Sequence, residues 1–219
     1  MEKCNSMKFD DFLKTYKDSM IIDSSTYSWF SEKPQDVRRQ VRYWVEKGYL
    51  IALKKGMYIL GDNYRKINPS KRFLANFFIN PSYLSLEYAL GFYDLIPEKV
   101  TVYTSLTTKK TTACRNYLGT FEYRSIKEDL FFGYTKATDN GQDFFIAQPE
   151  KAILDFFYFR KEFKGKAGEF ESLRFQNLDR LDTARLEEFS KKFTKKVKTI
   201  ARAFIEFIVR EKQDWKALK

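Results

Sequence analysis

The stretch from Lys33 to Leu60, KPQDVRRQVRYWVEKGYLIALKKGMYIL, decides the fold of the N-terminal part of this chain. Its first half has apolar residues at helical spacing, which predicts a helix that buries one face. The apolar stripe consists of Val37, Val41, Trp44 and Val45. Pro34 suits the first helical position, where a missing N–H costs nothing, and Gly48 is typical of a helix C-terminus.

Two short strands are predicted directly after this helix, at Leu50 to Leu53 and Met57 to Leu60, with Gly56 in the turn between them. A basic helix followed by a two-stranded wing is the layout of a winged helix-turn-helix. The helix would enter the major groove, and the wing tip would touch phosphate. The predicted DNA-binding residues are Gln35, Arg38, Arg39 and Arg42 on the helix and Lys54 and Lys55 at the wing tip. The alternative is an amphipathic helix and a hairpin with solvated charges.

The composition favours a folded protein with a polyanionic partner. The chain has 219 residues, 43% of them hydrophobic, and a formal net charge of +11. This length allows two modest domains or one large one. The positive charge favours a negatively charged binding partner, but it does not distinguish between nucleic acid and an acidic protein. Residues 1–66 carry a net charge of +4, residues 67–160 a net +1 and residues 161–219 a net +6, so the basic character lies at both ends.

Several site classes are excluded by residue counts alone. The sequence contains no histidine, which excludes His-ligated zinc and catalytic triads built on histidine. The two cysteines, Cys4 and Cys114, have no metal-ligand spacing and suit a reducing cytosol. The N-terminus has no apolar signal core, and no run is long and apolar enough to span a membrane. We therefore expect a soluble cytoplasmic protein without a membrane partner.

The pattern outside the central stretch predicts an α+β fold in two domains. Met7 to Lys17 and Ser25 to Phe30 are predicted helices that precede the basic helix, with Ser31 as its candidate cap. The polar, turn-rich segment from Gly61 to Asn68 is the predicted linker. Residues 1–64 are therefore the predicted winged helix-turn-helix domain, and residues 65–219 the predicted mixed α+β body, which ends in C-terminal helices.

The body is predicted to contain two helices, about four strands and a further helix. The first two helices begin near Asn68 and Ser85, and the third, PEKAILDFFYF, begins at Pro149 and is apolar on more than one side. The change toward a period of two after Pro97 predicts the strands. The predicted strands are Val100 to Ser105, Tyr117 to Ile126, Leu130 to Ala137 and Asp143 to Ala147. Lys161 to Phe175 is predicted to be a loop.

The C-terminal region carries the second basic feature. An apolar stripe from Leu186 to Ile208 predicts helical structure beginning at Thr183 and capped by Asp182, as one helix or as two broken near Thr194. On a continuous helix, Lys191, Lys195, Lys198 and Arg202 would share one face. Such an uncompensated row predicts an acidic partner, whereas the alternative is a solvated helix face. Lys109 and Lys110 form a second, smaller basic point in a threonine-rich loop.

No motif predicts a cofactor, a metal ion or an enzyme active site. The sequence has neither GxxxxGK[ST] nor GxGxxG. Asp139 and Asp143 flank a glycine, but Asp139 is explained as a turn residue and no third carboxylate is expected nearby, so a magnesium site is disfavoured. Glu150 is explained as a first-turn acid that the helix dipole favours.

The sequence resembles the AbiEi-type antitoxins of type IV abortive-infection toxin–antitoxin pairs. The resemblance covers roughly residues 7 to 210 and rests on YLSLEYALGFYDLIPEKVTVYTS and QPEKAILD after a winged-helix pattern. It implies repression of the protein's own operon through inverted repeats. It also implies neutralisation of a nucleotidyltransferase-type toxin by the C-terminal domain. The C-terminal basic row is expected to contact this toxin or its nucleic-acid substrate, not the operator. The family's motif residues Glu87, Ala89, Pro149, Glu150 and Asp155 are interpreted as structural.

Two other functions are compatible with the same patterns. The first is a stand-alone winged-helix regulator whose body dimerises or senses a ligand. The second is a nuclease or nucleotidyltransferase with a DNA-binding head, which the absence of histidine and of a carboxylate triad disfavours. The oligomeric state stays open, with a monomer that binds operator repeats cooperatively as one alternative.

Overall fold

The computed structural model describes residues 8–25 and 34–217. Its contacts divide the chain into two compact units. The first contains residues 1–70 together with 114–119, and the second contains residues 71–113 and 120–219. Helices and two sheets occur together in the described residues, so the predicted mixed α+β class is confirmed. The winged helix-turn-helix stays a prediction, because Thr26 to Phe30 of its predicted first helix, and the candidate cap Ser31, lie outside the described residues.

The first unit consists of two helices and a small antiparallel sheet. Its elements are α1 (Phe9–Tyr16), β1 (Ile22–Asp23), α2 (Pro34–Glu46), β2 (Leu50–Lys54) and β3 (Met57–Leu60). The strand order is β1-β3-β2, and both pairings are antiparallel. The predicted basic helix and both wing strands are therefore present at their predicted positions. Gly48, with φ +73°, follows α2 and lets the chain reverse into β2.

The core of the first unit joins α1 to the inner face of α2. Trp44 is 1% exposed, and its ring lies 4.7 Å from the ring of Phe12 and 5.5 Å from that of Phe9. Val37 and Val41 are buried beside it. Aromatic pairs at such distances stabilise a small core beyond their buried area alone. These contacts fix the rotation of α2 and therefore decide which of its residues face solvent.

The chain from residue 71 onward forms a six-stranded mixed sheet and further helices, and all of it except residues 114–119 belongs to the second unit. The elements of this part are α3 (Lys71–Phe78), β4 (Tyr83–Leu84), α4 (Leu86–Phe92), β5 (Val102–Thr107), β6 (Thr112–Asn116), β7 (Gly119–Ser125), β8 (Tyr134–Asp139), β9 (Gln142–Ala147), α5 (Pro149–Phe159), α6 (Ala167–Ser172), α7 (Thr183–Ser190) and α8 (Lys195–Ala217). The strand order is β6-β7-β5-β4-β9-β8. The central strand β4 pairs parallel to β9 and antiparallel to β5, while β5 pairs parallel to β7.

One predicted strand of this sheet was wrong in its start, and the strands β4 and β6 are additions to the four that were predicted. The predicted strand from Leu130 begins instead at Tyr134, because Glu128–Leu130 forms a 3-10 turn and Gly133 has φ +67°, which interrupts extended backbone. The strand β6 was not predicted. Its residues Thr112–Asn116 alternate weakly between exposed and half-buried positions, so period-two patterning does not single it out.

The predicted loop from Lys161 to Phe175 contains the short helix α6. The backbone N–H groups of Lys164 and Lys166 donate to the Glu169 carboxylate, which closes the start of this helix. Phe170 anchors it, since its ring is buried and lies 5.2 Å from that of Phe204. The segment was predicted to be a loop because it is highly charged. The non-local contact between these two rings stabilises the short helix within it.

The C-terminal stripe forms two helices, α7 and α8, which is the second of the two predicted alternatives, and Lys191 is therefore not on one continuous helix with Lys195, Lys198 and Arg202. Asp182 caps α7 as predicted, because its carboxylate accepts the N–H of Arg185 at 3.0 Å. The break lies at 191–194, where Phe193 turns into the core and the Thr194 hydroxyl lies 3.5 Å from the N–H of Val197. A buried aromatic group and a threonine at a helix start together explain the interruption.

Among the described residues, none of the helices combines the length and the apolar character that spanning a membrane requires.

Candidate nucleic-acid interface

The outer face of α2 presents the predicted DNA-binding side chains to solvent. Gln35, Arg38, Arg39 and Arg42 are all exposed. Their spacing places them within one stripe, opposite Val41 and Trp44. Arg39 lies 3.8 Å from the Asp36 carboxylate, so part of its charge is compensated within the helix. Burial of one stripe therefore leaves a polar, basic stripe free for contact with a groove.

The β2–β3 hairpin carries the predicted wing tip. Lys55 is exposed and Lys54 is half-buried. Gly56 has φ +79°, and its carbonyl accepts the N–H of Ser24 at 2.7 Å. A Cβ at position 56 would meet the Ser24 hydroxyl at 2.8 Å, so both the left-handed backbone and the close packing favour glycine here. The turn is thus held against the chain segment that follows β1.

A β-bulge shapes the same hairpin. The pairing between β2 and β3 shifts register between Ala52 and Lys54, which leaves Leu53 without a ladder partner of its own. Its carbonyl accepts instead from Asn116 Nδ2 at 3.0 Å, and Cys114 Sγ lies 3.5 Å away. Burial raises the pKa of the Cys114 thiol. Asn116 and Cys114 therefore provide hydrogen-bond partners for the bulged residue of the β2–β3 hairpin within the first unit.

The second predicted basic group lies in the second unit and is less continuous than expected. Lys195 and Arg202 are exposed on α8 and Lys198 is half-buried there, whereas Lys191 follows α7 and is not on that helix. Lys109 and Lys110 lie between β5 and β6. Lys195, Lys198 and Arg202 thus share one helix, and Lys191 does not extend their row.

A buried ionic cluster lies on α5 and was not predicted from the sequence. Lys151 and Asp155 are both 0% exposed and form an ion pair one helical turn apart. Asp155 also accepts from the hydroxyls of Ser85 at 2.8 Å and Tyr83 at 3.2 Å, while Lys151 donates to the Tyr83 oxygen at 2.8 Å. The available signal was a lysine and an aspartate four residues apart on a helix predicted to be buried.

Burial makes each charge of this cluster dependent on the others. It raises the pKa of the Asp155 carboxyl, against the opposing effect of Lys151 and the two hydroxyls, and it lowers the pKa of the Lys151 ammonium. The ammonium also lies 5.1 Å from the ring centre of Phe132 and 5.2 Å from that of Phe193. Cation–π contact and hydrogen bonding therefore replace water around a fully desolvated pair.

Glu150 and the carboxylates near Gly141 have structural partners. Glu150 is 2% exposed and lies in the first turn of α5, as predicted, where its carboxylate accepts the N–H of Asp182 at 2.9 Å. Asp139 pairs with Arg72 at 3.2 Å, and Asp143 pairs with Lys136 at 2.9 Å. In the described part of the chain, no group of three or more metal-ligating side chains is positioned to hold an ion.

A scan of the chain against protein-family models finds no match, and a search among curated proteins likewise finds none.

Proposed function

We propose that this protein is a DNA-binding autorepressor and antitoxin. It reads operator inverted repeats through α2 and counteracts a nucleotidyltransferase-type toxin through its second unit. The observation that carries the DNA-binding part is the exposed stripe of α2, followed directly by a basic-tipped hairpin in the same unit. The strand order β1-β3-β2 supports the proposal, because it joins the segment before α2 to the wing that follows it.

The two parts of the proposed DNA-binding surface have different tasks. Arginine on a helix in the major groove can hydrogen-bond base edges, and this contact distinguishes one sequence from another. Lysine at a wing tip contacts phosphate, which positions the protein without reading sequence. We therefore assign sequence preference to the α2 arginines and register on the duplex to Lys54 and Lys55.

For the wing, we expect Lys54→Ala/Lys55→Ala to reduce the salt dependence of binding. Each lost phosphate contact should lower the slope of log K against log salt by roughly 0.9. The measurement is fluorescence anisotropy of the protein with its own promoter DNA across a salt series. Lys14→Ala on α1 removes an exposed cation of the same unit and should leave the slope unchanged. An equal slope for the wing variant and the wild type would mean that the wing points away from DNA.

The antitoxin part is supported by Lys195, Lys198 and Arg202 on α8, of which the first and last are exposed, and by the resemblance to AbiEi-type antitoxins. No acidic residue occurs in the sequence between Glu188 and Glu206. The row is therefore uncompensated locally, and like charges in a row repel one another until an acidic surface or a nucleic-acid backbone faces them. Such a contact would contribute mainly association rate and orientation.

For this surface, we expect Lys195→Glu/Lys198→Glu/Arg202→Glu to lose toxin neutralisation and retain promoter binding within about threefold, which is under 1 kcal/mol. Lys191→Glu is the matched comparison, and it should retain neutralisation because Lys191 is not on α8. The assay is growth rescue on co-expression with the toxin candidate encoded beside this gene. Full rescue by the triple variant would identify the face as solvated helix surface only.

A further inference from the structure

The turn between β6 and β7 lies beside the proposed wing, although these strands belong to the six-stranded sheet. Residues 114–119 cluster with the first unit. Asn116 holds the turn in two ways, since Nδ2 donates to the Leu53 carbonyl at 3.0 Å and Oδ1 accepts the N–H of Leu118 at 2.8 Å. Leu53 directly precedes Lys54, so the turn is attached at the base of the proposed wing tip.

The turn exposes groups that suit a phosphate backbone. Arg115 is exposed, and Tyr117 at the apex of the two-residue turn is 73% exposed. Alternation along β6 places Arg115 on the strand side opposite Cys114 and Asn116. Arg115 therefore lies on the side of β6 opposite the two side chains that contact the Leu53 carbonyl, and it is exposed to solvent.

The charged residue of β6 and of the turn after it, Arg115, is basic. No acidic residue occurs between Glu98 and Glu122 in the sequence, so β6 and the turn that follows it contain no carboxylate, and Glu122 lies farther along β7. Arginine and tyrosine are both common phosphate ligands in protein–DNA complexes, the first through charge and the second through its hydroxyl. An exposed aromatic ring at a turn can also pack on a sugar.

We propose that the β6–β7 turn is a second wing, in which Arg115 and Tyr117 contact the phosphate backbone of the duplex next to the phosphates reached by Lys54 and Lys55. This inference rests on the proposed DNA-binding function. It extends the footprint of the first unit with residues that lie more than fifty positions away in sequence from the first wing.

The test compares Arg115→Ala, Arg115→Lys and Tyr117→Ala for promoter binding by anisotropy across a salt series. Loss of one phosphate contact should lower the slope by roughly 0.9 and weaken binding roughly fivefold at about 0.15 M salt. Arg115→Lys should have the same salt slope as the wild type, because it keeps the positive charge at position 115. Tyr117→Ala should weaken binding about threefold or more with an unchanged slope, since tyrosine releases no counterion.

The control is Arg174→Ala, which removes an exposed arginine of the second unit and should change neither affinity nor slope. All five proteins should melt at similar temperatures, because the substituted side chains are exposed. The second wing would be overturned if the wild type bound promoter DNA and both Arg115→Ala and Tyr117→Ala matched it in slope and affinity. The turn would then have only a structural role, in supporting the β2–β3 hairpin. Failure of the wild type to bind would instead overturn the proposed function on which the second wing depends.

Discussion

We expect Arg38→Ala/Arg39→Ala/Arg42→Ala to abolish measurable promoter binding at physiological salt while the protein stays folded. A base-reading arginine contributes about 1–3 kcal/mol, so the loss of several should remove most specific affinity. The fold should survive because the stripe through Val41 and Trp44 is untouched. The measurement is anisotropy with promoter DNA, accompanied by circular dichroism.

The single variants sharpen this prediction. Arg39 already lies near Asp36, so Arg39→Ala should have a smaller effect than Arg38→Ala or Arg42→Ala. A base-reading arginine should relax sequence preference when it is removed, whereas a phosphate-contacting one should weaken binding to all sequences alike. The matched control is again Lys14→Ala. If the triple variant bound the promoter as tightly as the wild type, α2 would not be the recognition helix.

The second large effect concerns stability. Lys151→Met should lower the free energy of unfolding by about 3–5 kcal/mol, because it leaves the Asp155 carboxylate buried without its counter-ion. The double variant Lys151→Met/Asp155→Leu should recover much of this loss, since replacing both charges by apolar groups removes the desolvation cost. Full recovery is not expected, because the hydroxyls of Ser85 and Tyr83 would lose their acceptor.

Urea unfolding, followed by tryptophan fluorescence and by circular dichroism, measures both variants. Lys136→Met is the matched control, because Lys136 and Asp143 form an exposed ion pair, and such pairs contribute about 0–1 kcal/mol. Equal stability of Lys151→Met and Lys136→Met would mean that water or rearrangement compensates the buried charge. A double variant less stable than Lys151→Met would mean that the hydroxyl hydrogen bonds outweigh the desolvation cost.

Local pattern was sufficient for α1, α2, β2 and β3 of the first unit, whereas the two-residue strand β1 was not predicted. The stripe of Val37, Val41 and Trp44 predicted both α2 and the side it exposes, because core contacts and helical period agree there. Gly48 and Gly56 indicated the two turns correctly, because each has a positive φ there, a backbone conformation that favours glycine. The positions of the basic α2 side chains therefore followed from sequence, although their binding partner did not.

Features set by non-local contacts could not be predicted. The bond from Asn116 to Leu53 joins residues 63 positions apart, and nothing in either segment indicates it. The burial of Lys151 depends on Tyr83, 68 positions away. The break between α7 and α8 depends on where Phe193 packs, so periodicity left one helix and two equally open. In each case, tertiary packing decided between locally similar alternatives.

The most direct test of the proposed DNA-binding function is competition between two duplexes for the wild-type protein. One duplex carries the promoter of its own gene, and the other carries the same base composition in permuted order. At about 0.15 M salt we expect the promoter to bind about a thousandfold more tightly or better, as sequence-specific DNA-binding proteins do. Equal affinity for the two duplexes, or no binding to either, would contradict the assignment of α2 and the β2–β3 hairpin as an operator-reading surface.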